Sequence, residues 1–309
     1  PIKTFTICFE DEAYNEATHA KAVAKHIGTE HTELYITPKD ALSVIPKLSS
    51  IYCEPFSDSS QIPTFLVSQL ASEHVTVALS GDGGDELFGG YNRYLMAQQV
   101  WNKNRKLPRP IRRLASTTLT AFAPKSWDAM FTTLTPILPK KLRLSAPGDK
   151  AHKLAGVLNI DSEQDFYQSL TSHWQQPETL VIGAKEPSTL ISDINCWPKT
   201  DSFQHAMMAM DAQTYMTDDI LVKVDRAAMA NSLETRVPML DHRIVELAWK
   251  MPLEYKIRHG EGKWLLKQVL FRHVPRQLIE RPKMGFSLPL HDWLRGSLRV
   301  WAEALLDEK

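Results

Sequence analysis

The sequence predicts an α/β protein with a doubly wound, mainly parallel sheet and a large helical C-terminal part, divided into residues 1–104 and 105–309. Two observations carry that expectation. Over the first third, strand and helix signals alternate, as a parallel sheet with crossover helices requires. From about Tyr91 onward the strand signals fade and apolar residues recur at helical spacing, interrupted by prolines.

Taken in order, Lys3–Phe9 reads as a strand, and Tyr14 to Ile27 places alanines, valine and isoleucine at helical spacing until Gly28 stops the helix. Glu33 to Ile36 is a second strand. Thr37 then caps a helix, with Pro38 at its first position, Asp40 in its first turn and Leu42, Ile45 and Leu48 on one face. Gln61 to His74 is the next helix, and Val75 opens the strand that follows. In such a fold, ligand chemistry belongs at the carboxyl ends of the strands. Leu107 to Gly148 holds six prolines and reads as loops between short helices. Lys103, Arg105, Lys106, Arg109, Arg112 and Arg113 form a basic run that reads as a solvated linker face, because no aromatics are interleaved with it.

Composition narrows the class. The chain has 309 residues, 43% of them hydrophobic, and a formal net charge of zero, so it can bury a sizeable core and offers no electrostatic footprint for nucleic acid or an anionic membrane. The expectation is a cytosolic protein. Cys8, Cys53 and Cys196 are widely spaced, without a C-x-x-C pattern, and read as buried thiols. No apolar stretch is long enough to span a bilayer, and the first residues lack a secretory pattern.

The most informative stretch runs from Val75 to Tyr91, where a β-branched strand enters Ser80-Gly-Asp-Gly-Gly-Asp-Glu86 and then a helix. Gly81, Gly83 and Gly84 would let backbone N–H groups close on an anion at a helix start, yet Asp82, Asp85 and Glu86 would repel a bare phosphate. A divalent cation reconciles the two, because oxygen ligands hold Mg²⁺ and Mg²⁺ holds a polyphosphate. The plain alternative is a strand-to-helix turn with acids at a helix N-terminus. A Walker A loop is excluded because Gly90 and Tyr91 follow Gly89 where lysine and a hydroxyl are required; a dinucleotide fingerprint fails at Glu86.

Further along, Asp225 and Arg226 sit among Leu221, Val222, Val224, Ala227, Ala228 and Met229, where a charge needs a partner or a ligand. Glu234 and Arg236 follow at the start of an extended Arg-Val-Pro segment. For these four, a buried ion network and substrate binding are both open. Asp219 and Lys223 are i,i+4 neighbours and read as surface pairing. Lys263 follows Gly260-Glu-Gly262 and precedes the periodic run Trp264 to Phe271, so its ammonium stands at a helix start, where the dipole disfavours positive charge.

Ser80-Gly-Asp-Gly-Gly-Asp-Glu-Leu-Phe-Gly-Gly-Tyr91 resembles the second nucleotide loop in the synthetase domain of glutamine-hydrolysing asparagine synthetases. Four more segments appear in that family's order: Lys3–Phe9 with Tyr14-Asn15-Glu16, Glu54 to Thr64, Asp225-Arg226 through Leu233 to Asp241, and Gly262-Lys-Trp-Leu-Leu-Lys267 leading to Lys283 through Pro289. Together they span nearly the whole chain. The resemblance implies an adenine-nucleotide α-hydrolase-like, ATP-pyrophosphatase-type core, ATP and Mg²⁺ as cofactors, and amidation of aspartate or a related carboxylate through an acyl-adenylate. It implies that Ser80 and Gly81 contact the nucleotide, that Ile7 lines the adenine pocket through its backbone, and that Asp85 holds Mg-pyrophosphate. Asp82 falls at the acidic position tied to adenylate formation, with an N-cap or turn carboxylate as its plain alternative. Glu86 stands behind as a further acid or a helix-terminal charge. Lys263 takes the position of a lysine that contacts the phosphates and stabilises charge developing during attack on the α-phosphate.

The family also implies ammonia from a glutaminase domain, and a homodimer. In it, a Ser-Gly-Gly-x-Asp-Ser loop and the glutaminase domain precede the point where Pro1 stands. The expectation is therefore a fragment, inactive alone. Cys8 stands where the family usually has glycine, and Ser59-Ser60 where Pro-Ser is frequent. Two other readings stay open: an amidotransferase acting on a sugar acid of cell-envelope polysaccharide, and a non-catalytic ATP-binding module.

Overall fold

The computed structural model describes residues 1–9, 16–134, 147–172, 174, 176–280 and 289–307. The helix onset expected at Tyr14 and Asn15, residues 135–146 of the proline-rich stretch and the 283–288 part of the Lys283 segment lie outside these. The chain forms two compact units, one of Pro1–Phe88, Ala212–His259 and Lys263–Lys309, the other of Gly89–Asp211 and Gly260–Gly262. The compositional division at residues 104 and 105 is a different partition. Among the described residues the architecture is mixed α/β, mostly helical, with two small parallel sheets.

In the first unit, β1 (Lys3–Phe9) lies parallel to β2 (Glu30–Ile36), with Lys3 opposite Glu30 and Phe9 opposite Ile36. Between them α1 (Ala17–Ile27) ends at Gly28, whose φ of 74° is the left-handed stop that a residue without Cβ accepts. α2 (Pro38–Tyr52) begins with the expected cap: the Thr37 side chain accepts from Asp40 N–H, and the Asp40 carboxylate accepts from Thr37 N–H at 2.8 Å. α3 (Gln61–Ser72) leads to β3 (Val77–Leu79), and α4 (Gly84–Phe88) closes this part. Ile7, Phe9, Ile36, Val44, Ile62 and Phe65 make the main core cluster of this unit. A second cluster of Ala71, Ala228 and Leu233 takes in Phe5 of β1 and Ala78 of β3.

The second unit is helical: α5 (Asn92–Asn104), α6 (Arg109–Thr120), α7 (Pro124–Leu134), α8 (Pro147–Leu158), α9 (Glu163–Thr171) and α10 (Phe203–Gln213), whose last two residues belong to the first unit. Between Leu107 and Gly148 the described residues form the short helices α6 and α7 with a break at residues 121–123, in keeping with loops between short helices. Pro110, Pro124 and Pro147 occupy first turns, where a missing N–H costs nothing. The basic run is not uniformly solvated. Arg112 is buried and donates to Ile160 O at 2.7 Å, Leu158 O at 3.2 Å and the Asp161 carboxylate at 2.6 Å. Asp211 of α10 is fully buried and accepts from Arg93 Nε at 2.9 Å, Tyr167 Oη at 2.7 Å and Tyr94 Oη. Burial opposes the Arg93 charge, but the Asp211 carboxylate outweighs it and raises the guanidinium above its ordinary range.

The chain returns to the first unit through a π-helical turn at Tyr215–Leu221, followed by α11 (Val222–Met229), β4 (Glu234–Arg236), α12 (His242–Lys250), α13 (Leu253–Lys256), α14 (Trp264–Leu270), α15 (Arg276–Ile279), α16 (Leu290–Arg295) and α17 (Arg299–Leu306). β4 pairs in parallel with β3, Val77 opposite Glu234 and Leu79 opposite Arg236. The thiols divide: Cys8 is buried, whereas Cys53 and Cys196 are exposed, contrary to the expectation of three buried ones. Among the described residues no helix is long and apolar enough to cross a membrane.

Lys256 is fully buried, its ammonium makes no hydrogen bond among the described residues, and it lies 4.6 Å from the centre of the Trp249 ring. Burial lowers its pKa from 10.5 to about 8. Between these values the unfolded chain holds a proton that the folded chain does not, so this group makes stability rise with pH across that window and leaves its full penalty below it. Lys256→Met is expected to remove that rise and to stabilise the protein at pH 7 by roughly 1–3 kcal/mol. Urea melts at pH 7 and pH 10 check this; destabilisation at pH 7 would show that the ammonium has a use that burial alone does not reveal.

Candidate functional site

The acidic loop leaves β3 at its carboxyl end. Ser80 N–H donates to Arg236 O at 2.9 Å, carrying the β3–β4 pairing one residue into the loop. The three loop glycines then serve different needs. Gly83 has φ 79°, and a Cβ there would come within 2.5 Å of Leu240 Cδ2. Around Gly81 nothing lies within 4 Å of the place a Cβ would take, so its bareness leaves approach to the backbone open. A Cβ on Gly84 would make ordinary contact with Met239 Cγ at 4.0 Å. Gly83→Ala is therefore expected to cost about 1–3 kcal/mol through the left-handed strain and the push on Leu240, with Gly81→Ala costing less. Chemical melts of both variants check the ranking; an equal cost would mean that Leu240 yields freely.

Carboxylates in this loop face different surroundings. Asp82 accepts a short hydrogen bond from Ser80 Oγ, which fixes its direction. Asp85 keeps 24% of its side chain exposed, and Lys263 Nζ stands 2.9 Å from its Oδ2. Glu86 is 1% exposed and does not face solvent as Asp85 does. α4 is a single turn of five residues, so the field at its start comes from local N–H groups more than from a long aligned helix.

Lys263 is tied to α4 twice, by its ammonium to Asp85 and by its N–H to Phe88 O at 3.0 Å. It caps α14 with φ 56° and ψ 30°, a left-handed conformation that costs a residue with a Cβ on the order of 1–2 kcal/mol. A half-open ion pair returns about 0.2–1 kcal/mol, which does not repay that strain. Backbone strain that stability does not explain concentrates at functional sites.

The remaining sequence candidates fall elsewhere on the unit. Ile7 is 6% exposed, its side chain in the core, which leaves only its backbone for a ligand. Asp225 and Arg226 are exposed on α11, the Arg226 guanidinium reaching Cys53 Sγ at 3.8 Å. Glu234 and Arg236 pair with each other at 2.7 Å with more than half of each side chain exposed. The buried network considered for these four is thus not formed by them.

The buried charge is Lys223. It is 7% exposed, with Nζ 2.6 Å from Asp58 Oδ2 and 3.9 Å from Asp219 Oδ1, so the expected surface pair with Asp219 is its weaker contact. Burial alone would raise the Asp58 carboxyl, but the Lys223 ammonium holds it below its usual range. Burial, then Asp58 and Asp219, push the nearby Tyr52 phenol up. A lysine between Val222 and Val224 was the available signal for this cluster; its partner in the Glu54–Thr64 segment gave none.

Among the described residues no three His, Cys, Asp or Glu side chains gather into a metal cage. Asp82 and Asp85 in one loop nevertheless suit Mg²⁺, which is commonly held by one or two carboxylates together with substrate phosphates.

A family model described as asparagine synthase matches residues 1–309. The chain belongs to the asparagine synthase family. It is 30% identical over 311 residues to asparagine synthetase [glutamine-hydrolyzing] 1 of Bacillus subtilis (strain 168), a match covering 99% of this chain and 45% of that protein. It is 32% identical over 310 residues to a putative asparagine synthetase [glutamine-hydrolyzing] of Mycobacterium bovis, covering 97% and 43%. A putative asparagine synthetase [glutamine-hydrolyzing] 2 of Methanocaldococcus jannaschii is 33% identical over 230 residues, covering 74% and 40%. The chain thus spans less than half the length of these asparagine synthase relatives.

Proposed function

We propose that this chain is the synthetase part of an ATP-dependent amidating ligase that converts aspartate to asparagine through β-aspartyl-AMP, with ammonia from a glutamine-hydrolysing part of the longer protein. The observation that carries the reading is the Lys263–Asp85 pair, which sets a strained lysine against the carboxylate of a strand-to-helix loop. Family membership and the relatives' names support the reaction class. As the finer fold, the two parallel pairs would belong to one doubly wound sheet, supported by the cluster in which Phe5 and Ala78 both pack.

The chemistry is a displacement followed by an acyl transfer. An oxygen of the aspartate β-carboxylate attacks the α-phosphorus of ATP, and the bond from that phosphorus to the bridging oxygen breaks, the electron pair leaving with pyrophosphate. Ammonia then adds to the acyl carbon, AMP departs with the C–O electron pair, and the nitrogen loses a proton to give the amide. Bound Mg²⁺ supplies charge neutralisation on the phosphates. Asp85, and Asp82 held by Ser80 Oγ, would hold it, while Lys263 releases Asp85 and turns to the charge on the departing oxygens. Ser80 and Gly81 offer backbone N–H groups to the nucleotide. Glu86, being buried, braces α4 and stays off the phosphates.

The test is a product assay on the longer protein that contains this chain, the chain alone being expected to be inactive, with Mg-ATP, aspartate and an ammonium salt. Equal amounts of AMP, pyrophosphate and asparagine are expected. Pyrophosphate release with a uronic acid and none with aspartate would reassign the acceptor, and nucleotide binding without AMP formation would reduce the chain to a binding module.

A further inference from the structure

We propose that Gly262 is a positioning residue for Lys263: the space left by its missing Cβ lets residues 262 and 263 lie directly on the backbone that ends α4, and this seat holds the Lys263 ammonium against Asp85. The inference rests on the reading of Lys263 as the group that meets the departing pyrophosphate, and it adds what aims that group.

The first support is space. A Cβ on Gly262 would stand 2.2 Å from Gly89 O, 3.2 Å from Gly89 C and 3.3 Å from Gly90 Cα. All three are backbone atoms, so no flexible side chain is there to swing aside. Conformation does not explain this glycine: the left-handed region is occupied by its neighbours Gly260, with φ 77°, and Lys263, with φ 56°, and not by Gly262. Around Gly260, in turn, nothing lies within 4 Å of the place a Cβ would take. The two glycines thus answer different needs, Gly260 turning the chain and Gly262 admitting a carbonyl.

The second support is a pair of contacts made side by side. Gly89 follows α4 in a left-handed turn of φ 72°, and its carbonyl meets Gly262, while the preceding carbonyl, Phe88 O, accepts from Lys263 N–H at 3.0 Å. Lys263 thereby satisfies one of the last carbonyls of the same helix whose first turn carries Asp85. α4 has only five residues, with Leu87 and Phe88 buried, so the seat at its end fixes where the Lys263 stem begins relative to the Asp85 carboxylate.

The third support is anchoring on both sides. Leu87 and Phe88 of α4 share an apolar cluster with Leu266 of α14. With both helices held, the displacement forced by a side chain at 262 falls on the link between them, and a Cβ at 2.2 Å must retreat by about 1 Å or more to reach ordinary contact. The lysine stem follows such a shift only by leaving its rotamer, and the Lys263 N–H has no reach with which to follow at all.

The test is pyrophosphate release by the longer protein with Mg-ATP, aspartate and ammonium, compared among Gly262→Ala, Lys263→Ala and the double variant. Gly262→Ala is expected to lower kcat by about 10- to 100-fold, the scale of a misplacement near 1 Å, with the KM for ATP held within about threefold. In the Lys263→Ala background the same substitution should lower kcat by less than about threefold, because a seat without its lysine aims nothing. Hydrogen exchange at the Lys263 amide gives a readout independent of turnover, expected to be slow in the unaltered protein and at least about tenfold faster in Gly262→Ala. Normal kcat in Gly262→Ala overturns the proposal, as does an equal loss in both backgrounds. Fast exchange at Lys263 in the unaltered protein overturns it too, and decides the matter if Gly262→Ala does not fold. Near-normal turnover in Lys263→Ala counts instead against the part given to the lysine in the reaction, and exchange of its amide then judges the seat.

Discussion

Replacing Lys263 by alanine in the longer protein is expected to lower pyrophosphate release by about 10²- to 10³-fold, the range seen when one charge-stabilising donor is taken from a transition state. The loss should fall on kcat more than on the KM for ATP, because resting Lys263 is engaged by Asp85 and becomes available to the phosphates as charge moves onto the leaving oxygens. Lys263→Arg preserves the charge but not the compact ammonium and should recover only part of the rate. The melting temperature of Lys263→Ala should hardly fall, since alanine keeps the left-handed strain and loses only a half-open ion pair worth about 0.2–1 kcal/mol. Near-normal turnover in this variant, measured as pyrophosphate release with aspartate and ammonium, removes the lysine from the mechanism.

The largest stability effect is expected at Asp211. Its carboxylate is fully buried and satisfies Arg93, Tyr94 and Tyr167 together. Asp211→Ala would leave a guanidinium with 22% of its side chain exposed and two phenols without their shared acceptor, at a cost of roughly 3–5 kcal/mol. Asp211→Asn keeps the acceptor oxygen but not the charge and should cost about half as much. Urea melts of both variants check the order, and a loss under 1 kcal/mol for Asp211→Ala would show that Arg93 reaches water readily enough to dispense with its partner.

Much of this molecule was legible locally. Thr37, Pro38 and Asp40 specify a helix start within four residues, and Gly28 specifies a stop. The acidic loop announced itself by three glycines and three carboxylates after a β-branched strand, and family membership follows from the same stretch with its companions along the chain. Proline density between Leu107 and Gly148 announced short helices with breaks but not where each begins, because local counting does not tell a start from a break. The choice among charges on α11 misled. Lys223 and Ala227, four residues apart, share the buried face, whereas Asp225 and Arg226 are turned outward. Helical phase alone leaves open which face the neighbours cover.

By itself the sequence determined the backbone preferences: where strands and helices begin and stop, and which loop combines bare backbone with acid. Those are properties of a few consecutive residues. Only the tertiary structure decided that Leu240 fills the space beside Gly83, that Lys263 reaches Asp85, and that Lys223 is enclosed against Asp58. Each is a contact between residues far apart in the chain, and desolvation and pairing depend on what surrounds a group in space.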